Sequence, residues 1–262
     1  MIIHARSSAF AIFTVIMLMA IISLISVAMT NLYLTNSRAA SLDLEQLEAR
    51  HLLDAGTRFA ALSLASPRVD VSASAIPAAR LVYSSPEADV IVEIQNEAGF
   101  IGLLTADKEL LRSALVESGA PRQGVDTIIE SLQALKTQGR EPSYRRLREL
   151  LRDRPIDTMA LLSVASLHNK QQGVHPSVAT KAVLSLVPKL SKAQRERLLA
   201  TRNDDSPSLI SSPIESDYFT STMSAYYRLT VSVELNGRLY TRVQIIKMTN
   251  QRGRLYEVQA IL

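Results

Sequence analysis

The feature that most constrains this chain is an uncharged, apolar run near its N-terminus. No charged side chain occurs from Ser7 to Ser37, and alanine, isoleucine, leucine, methionine, valine and phenylalanine dominate Ala9–Leu34. About 20 apolar residues in a helix are enough to cross the hydrocarbon core of a bilayer. A buried helix of a soluble protein rarely stays apolar on every face over such a length. The sequence therefore predicts a transmembrane helix over residues 9–34.

The charges on the two sides of this run predict its orientation. A short leader, residues 1–8, carries Arg6, whereas Asp43, Glu45 and Glu48 follow the run. Because basic residues tend to remain on the cytoplasmic side, we expect the N-terminus in the cytoplasm of a bacterium and the main domain in the periplasm. The prediction is a single-pass protein of the inner membrane.

Three fates of this segment are open from the residues alone. It is a permanent signal anchor, or it is a secretory signal cleaved after Ala28, because Ser26, Val27 and Ala28 place small residues at the right offset. The apolar stretch is longer than a usual secretory signal, which weighs against the second fate. In the third, a peptidase cuts on the cytoplasmic side after Ser8 and leaves the apolar helix on the mature protein.

The residues after the run predict a second, amphipathic helical stretch over 35–66. Asn36 or Ser37 is the expected N-cap, and Pro67 is expected to end the helix because proline disfavours the helical conformation of the residue before it. The apolar residues of this stretch recur at helical spacing, whereas most charged residues lie off the stripe. The stripe consists of Leu42, Leu44, Leu47, Leu52, Leu53, Ala55, Phe59 and Leu62.

Beyond residue 80 the hydrophobic pattern changes twice. Residues 81–104 predict extended structure with Val90–Ile94 as the clearest strand, residues 105–202 follow a helical period, and residues 203–217 predict a polar loop. Most of the expected helices begin at a capping residue or a proline. They are Thr105–Ser118, Pro121–Leu135, Ser143–Arg152, Asp157–Ser166, Pro176–Leu186 and Ser191–Thr201.

The C-terminal part, residues 218–262, contains the strongest β pattern. Apolar and polar side chains alternate from Tyr227 to Leu235. Asn236–Gly237 predicts a tight hairpin turn because both residues tolerate positive φ. The chain is expected to return over Leu239–Met248 and to add a final strand over Leu255–Leu262. Together with the helical stretch, this antiparallel sheet predicts an α+β head.

Composition and motifs argue against an enzyme. The chain has no cysteine, which excludes disulfides, thiolate metal sites and cysteine nucleophiles. It has no glycine-rich phosphate loop and no nucleophile elbow, and its histidines lack metal-ligand spacing. The histidines are His4, His51, His168 and His175. We therefore expect neither catalytic residues nor an organic cofactor.

A cluster of arginines in the helical stretch has two interpretations. Its members are Arg145, Arg146, Arg148, Arg152 and Arg154. Such a cluster can bind phosphates, but Glu149 and Asp153 interleave with the arginines and favour ion pairs on a solvated helix face. The modest net charge of +4 also gives no reason to expect nucleic acid. No nucleic-acid partner is expected.

Acidic residues at the polar loop are the candidate metal ligands. They are Asp204, Asp205, Glu215 and Asp217. Calcium prefers several oxygen ligands of this kind. The spacing matches no defined calcium loop, so a solvated linker is the favoured alternative.

Several segments form a pattern when they are taken together. A leader with Arg6 precedes the apolar helix, and a strand leads through Glu97–Ala98–Gly99–Phe100–Ile101 into a leucine-rich helix. The later segment from Gly173 to Ala179, followed by Ala182–Val183–Leu184, completes the pattern. Over nearly the whole chain, this arrangement resembles the K-type minor pseudopilins of the bacterial type II (general) secretion system.

The chain departs from the family at three places and follows it at a fourth. The family's acidic tryptophan motif after the second helix is missing, and Leu135, Lys136 and Thr137 lie there. Ser8 stands where the family usually has glycine before the peptidase cut, and Gly102 and Leu103 replace expected asparagines. A cut between Ser8 and Ala9 would make Phe13 the fifth residue of the mature protein. Most pilins have a glutamate there, and K-type pseudopilins characteristically lack it.

The resemblance implies a fold and a set of functional residues. The fold would be a pilin-like antiparallel sheet with a large all-helical insertion, preceded by the long membrane helix. Ser8 and Ala9 would form the processing junction, with methylation of the new N-terminus. The residues that would pack the membrane helix in a bundle are Phe10, Phe13, Ile16, Leu18, Ile21 and Ile25. Some members of the family bind calcium, which adds weight to the metal candidates.

The resemblance also implies a function in assembly. The subunit would cap the tip of the pseudopilus, initiate its formation and support export of folded proteins across the outer membrane. Its partners would be the I-type and J-type minor pseudopilins and the inner-membrane secretion platform. Two alternatives stay open, a signal-anchored periplasmic binding or envelope protein and a minor pilin of a type IV pilus.

Overall fold

The structure of the protein is a computed structural model that describes residues 4–66, 79–137, 143–201, 217–251 and 254–262. The chain forms two compact units, Met1–His51 and Leu52–Leu262. In the first unit the described residues are helical throughout, and side chains are described from residue 13 onward.

The helix α1 runs from His4 to Ala65, a length of 62 residues. It spans the apolar run and the amphipathic stretch without interruption, so Asn36 and Ser37 lie inside the helix and the prediction of an N-cap there is wrong. The reason is that no proline occurs between His4 and Ala65, and nothing else in this stretch ends the hydrogen-bond ladder. The end of the helix agrees with the expectation from Pro67.

The elements after α1 begin and end with strands, and the other helices lie between these strands in the sequence. They are β1 (Ala79–Ser84), β2 (Asp89–Asn96), a 3-10 turn (Glu97–Gly99), β3 (Ile101–Gly102), α2 (Lys108–Glu117), α3 (Val125–Thr137), α4 (Tyr144–Leu151), α5 (Thr158–Val164), β4 (Ala165–Ser166), α6 (Lys181–Leu186), α7 (Lys192–Thr201), β5 (Tyr226–Leu235), β6 (Arg238–Gln251) and β7 (Arg254–Ile261). This content confirms the α+β fold class.

The main sheet has the strand order β1-β2-β5-β6-β7 among the described residues. Each neighbouring pair is antiparallel, and the helices α2–α7 are inserted between β2 and β5. The turn between β5 and β6 is the predicted hairpin, with φ of 50° at Asn236 and 75° at Gly237. These positive angles match the right-handed twist of the two strands.

The C-terminal part of α1 packs on one face of this sheet, which we call the inner face. An ideal Cβ on Gly56 would lie 2.7 Å from Val90 Cγ1 and 2.8 Å from Val231 Cγ1. Ala60 and Ala61 are fully buried. Small residues on α1 therefore allow the helix backbone to approach the valines of the central strands closely, which increases the dispersion contacts between the two layers.

Polar contacts fix the flank of the same helix against the sheet. The Thr57 hydroxyl bonds the Gln244 side chain on β6, and the Asp54 carboxylate pairs with Arg242 on the same strand. On the other flank, the rings of Phe59 and Tyr83 are 5.5 Å apart. These contacts fix the helix to the sheet on both sides of its apolar contact surface.

The inserted helices share one hydrophobic core with β3 and β4. Side-chain caps begin several of them, since Asp107, Ser143, Asp157 and Thr180 each accept a backbone N–H of the first turn. The largest fully buried side chains of the described residues are Phe100, Ile101, Leu103, Leu110, Leu111, Leu115, Ile129, Leu132, Leu147, Leu151, Leu161 and Leu184.

The structure corrects several helix boundaries in this insertion. Two helices begin later than expected, at Lys108 instead of Thr105, where Asp107 is the cap, and at Val125 instead of Pro121. The helix expected over Asp157–Ser166 stops at Val164, because Ala165 and Ser166 form β4 and pair in parallel with Ile101 and Gly102. The helix expected over Pro176–Leu186 begins only at Lys181, because the Thr180 hydroxyl caps it. Long-range pairing and a local cap therefore override the helical period at these ends.

Replacing Gly56 by alanine tests the close approach of α1 to the sheet. The added Cβ would overlap two valine methyl groups, so we expect the free energy of unfolding to fall by about 1–3 kcal/mol although alanine favours a helix. Thermal unfolding of the detergent-solubilised protein measures the change. Gly124→Ala is the control, because the nearest atom to its added Cβ, Pro121 Cγ, lies at 3.6 Å. Equal unfolding temperatures for both variants would contradict this packing.

Candidate functional site

The first part of the candidate site is the N-terminal half of α1. Ser8 and Ala9, the predicted processing junction, lie inside this helix together with Phe10. Their side chains lie outside the described ones, so the junction stays a prediction. From residue 13 to residue 44 every side chain is exposed.

The remaining predicted packing residues are apolar and open on this helix. Their exposed fractions are 64% for Phe13, 61% for Ile16, 58% for Leu18, 46% for Ile21 and 53% for Ile25. Other large apolar side chains of the run are equally uncovered, including Met19, Leu24, Met29 and Leu32. An apolar surface of this extent in water is unfavourable and marks a membrane or protein contact.

The dimensions of this helix suit a bilayer. The stretch Phe13–Leu34 is roughly 33 Å long at 1.5 Å per residue, and the hydrocarbon core is about 30 Å thick. The mean hydropathy of its most apolar window is 2.4. By length and composition, α1 is therefore compatible with a single-pass membrane anchor.

Two hydroxyl side chains in this stretch form hydrogen bonds within the helix itself. Ser26 Oγ donates to Ile22 O at 2.9 Å, and Thr30 Oγ1 donates to Ser26 O at 2.8 Å. Such bonds to the preceding turn remove the need for water. The hydroxyl groups therefore do not prevent the helix from entering an apolar environment.

The second part of the candidate site is a buried joint between the sheet and the insertion. Arg228 on β5 donates from Nε to Glu97 Oε1 at 2.9 Å, and both side chains are buried. The same guanidinium donates to the carbonyls of Leu162 and Ala165 and lies 3.7 Å from the ring centroid of Phe100. One cation thus connects β5, the 3-10 turn and the end of α5.

The sequence pattern did not reveal this joint. Arg228 occupies an outward position in the alternation of β5, where a solvated residue is expected. The signal that was available is Glu97, an acidic residue directly after the apolar strand β2, because a buried carboxylate requires a nearby cation. Only the fold shows that the cation comes from a residue 131 positions away.

The two segments that carried the family resemblance pack directly on each other. His175 N donates to Ala98 O at 2.7 Å, and a Cβ on Gly99 would lie 2.3 Å from Val178 O. A Cβ on Gly173 would likewise lie 2.4 Å from Tyr218 O. The glycines are therefore required where the backbone of one segment approaches another too closely for any side chain.

An aromatic stack lies beside the ion pair. The rings of His168 and Tyr226 are 4.9 Å apart, and that of Tyr144 is 5.6 Å from His168. Burial, together with the negative charge of Glu97, raises the pKa of Tyr144 to about 12. The phenol therefore stays protonated at physiological pH and its oxygen accepts the backbone N–H of Leu167.

The predicted metal ligands are not brought together in the part of the chain that is described. Three of them, Asp204, Asp205 and Glu215, lie outside the described residues. The fourth, Asp217, lies in a turn directly before the C-terminal part. Among the described residues, no group of three or more histidine or acidic side chains is placed to hold a metal ion. Calcium binding stays a prediction.

Removing one partner of the buried ion pair tests the joint. In Arg228→Met the carboxylate of Glu97 loses its cation, and we expect a loss of about 3–5 kcal/mol in the free energy of unfolding. Arg112→Met is the control, because its pair with Asp126 is exposed and such pairs contribute about 0–1 kcal/mol. Denaturant unfolding measures both. A similar small loss in the two variants would contradict the role given to Arg228.

Comparison with known proteins gives one informative result. No family model matches the chain, and no curated protein matches it. A chain of the crystal structure of the GspK-GspI-GspJ complex from the enterotoxigenic Escherichia coli type 2 secretion system is similar to it, with a TM-score of 0.52 and 14% sequence identity. The match covers 83% of this chain and 97% of that one. The chain therefore has an α+β, pilin-like fold similar to that of a chain of this complex.

Proposed function

We propose that this chain is a minor pseudopilin of a type II secretion system that caps the tip of the pseudopilus and initiates its assembly. The observation that supports this most directly is the combination of an exposed apolar helix with a pilin-like head of the GspK type. Such a protein supports export of folded proteins across the outer membrane by assembly, without catalysis.

The apolar helix suits two environments in turn. From Phe13 to Leu34 it presents mostly apolar side chains on every side, so lipid can surround them before assembly and neighbouring helices can pack against them afterwards. Phe10, Phe13, Ile16, Leu18, Ile21 and Ile25 are the proposed bundle contacts. With Phe13 at the fifth mature position, this subunit has no carboxylate to pair with the N-terminus of a subunit above it. Such a subunit fits the end of a filament.

The insertion supports the same position in the filament. The helices α2–α7 form a body of their own between β2 and β5, and the buried Arg228 and the glycine contacts attach it firmly to the sheet. A head with such a rigid addition is too bulky to be stacked upon, which favours the tip. The proposed neighbours are the I-type and J-type minor pseudopilins, with the inner-membrane platform as the site of assembly.

The proposed location follows from the anchor. The protein would cross the inner membrane once, with Arg6 on the cytoplasmic side and the unit Leu52–Leu262 in the periplasm. Cleavage between Ser8 and Ala9, followed by methylation, would produce the mature subunit.

The N-terminus of the protein extracted from its host membranes tests this function. We expect a start at Ala9 by intact mass, with an additional methyl group. Ser8→Leu should block the cut because a bulky side chain replaces a small one, whereas Ser7→Leu, one residue further away, should leave it unchanged. A start at Met29 would mean a released periplasmic protein and would overturn the proposal. An intact Met1 would leave an uncut anchor and exclude pseudopilin processing.

A charge in the apolar helix gives a second test. Ile21→Lys places an ammonium group near the middle of the span, where it costs about 2.5–3.5 kcal/mol. We expect a clear fall in the fraction of protein that stays in the membrane after alkaline washing, and loss of secretion in a complementation assay. Leu44→Lys is the matched control, since Leu44 is 67% exposed on the same helix but lies beyond the predicted span. A defect in adhesion or motility with normal secretion would indicate a type IV pilin instead.

A further inference from the structure

The sheet has a second face, opposite α1, that is covered over only part of its area. We call it the outer face. At one end, Arg228 and Ile245 are buried beneath the insertion. Toward the turns β1–β2 and β5–β6 the same face is open, and the row Val82, Ile91, Ser232 and Thr241 crosses it from strand to strand.

The open part of this face carries exposed apolar side chains. Leu239 is 71% exposed and Val82 is 53% exposed. Leu239 and Ile91 line an open concavity of about 380 Å³ near the two turns. An outward sheet face that meets only water is normally polar, and no described residue of this chain covers these side chains.

The rim of the concavity is acidic. Glu87, Asp89 and Glu234 line it, and Glu93 lies one row further along the outer face. A hydrogen bond from the Ser85 hydroxyl lowers the pKa of Glu87, so this carboxylate is ionised at neutral pH. We call these acids with Val82, Ile91 and Leu239 the acidic sheet patch.

The acids at the rim of the concavity have no cation bonded to them within the described ranges, whereas Glu93 lies opposite Arg80 on β1. No cation there forms an ion pair with Asp89, Glu93 or Glu234. The chain as a whole has a net charge of +4, so the patch is a local reversal of the overall sign. Neighbouring like charges on a sheet are unfavourable, and a cationic partner would relieve this repulsion.

We propose that the acidic sheet patch docks the head of a neighbouring subunit, through a protein surface that presents lysine or arginine beside apolar side chains. This inference rests on the assembly function proposed above and gives one of its contacts a place and a chemistry. Complementary charge would steer the partner and set its register, while Leu239 and Ile91 would supply the apolar contact. Anionic lipid headgroups would be repelled by the same carboxylates, which argues for a protein partner.

Site-specific photo-crosslinking in the native host tests the proposal. A photoreactive phenylalanine analogue at Leu239 of the full-length chain should give an adduct with another subunit, at a peptide that contains lysine or arginine. Met159 on α5 is the matched control position, because it is 67% exposed and lies outside the patch. We expect little or no adduct there.

Charge reversal supplies the electrostatic part of the test. Asp89→Lys with Glu234→Lys should lower the adduct yield from Leu239 by about tenfold, since attraction becomes repulsion. The neutral pair Asp89→Asn with Glu234→Gln should have an intermediate effect and guards against misfolding. An unchanged yield, an adduct with lipid alone, an adduct with a second copy of this chain, or equal yields from Leu239 and Met159 would each overturn the proposal.

The N-terminus of the same preparations separates this proposal from the function on which it rests. A start at Ala9 with no adduct from Leu239 would overturn the docking patch and leave the pseudopilin function intact. A start at Met29 with the adduct present would overturn the pseudopilin function while the patch remained a protein contact.

Discussion

The buried guanidinium of Arg228 is the interaction on which the arrangement of the head depends. It lies on the outer face of the sheet, yet its partners come from the 3-10 turn after β2 and from the end of α5. A charge withdrawn from water must be matched by a carboxylate and by hydrogen bonds. Glu97 and two carbonyls meet this requirement only when the insertion sits in one position on the sheet.

The same position is reinforced by contacts that involve no charge. Gly99 and Gly173 allow backbones from separate parts of the chain to approach within a distance that excludes a side chain. Asn169 adds a hydrogen bond from Nδ2 to Phe100 O at 2.6 Å. Because these contacts surround the ion pair, the insertion is attached over an area and not at a single point.

The two faces of the sheet are covered by different parts of the chain. The inner face is closed by the small residues in the C-terminal part of α1. The outer face is shared between the insertion, which covers Arg228 and Ile245, and an open, acidic remainder that ends at the two turns. Within the head, the inner face therefore holds the end of α1 and the outer face carries the proposed docking patch.

The sequence by itself determined the local features: the apolar helix, its end before Pro67, the hairpin at Asn236–Gly237 and most helices of the insertion. These depend on periodicity, capping and turn chemistry among residues close in the chain. The unbroken course of α1 through Asn36 and Ser37 is also local, because no proline interrupts it. Tertiary structure alone decided that Ala165 leaves its helix to pair with β3, and that Arg228 is buried while Leu239 is not. Alternation specifies which residues share a face of a strand, but what covers that face depends on segments far away in sequence, and no local pattern contains that information.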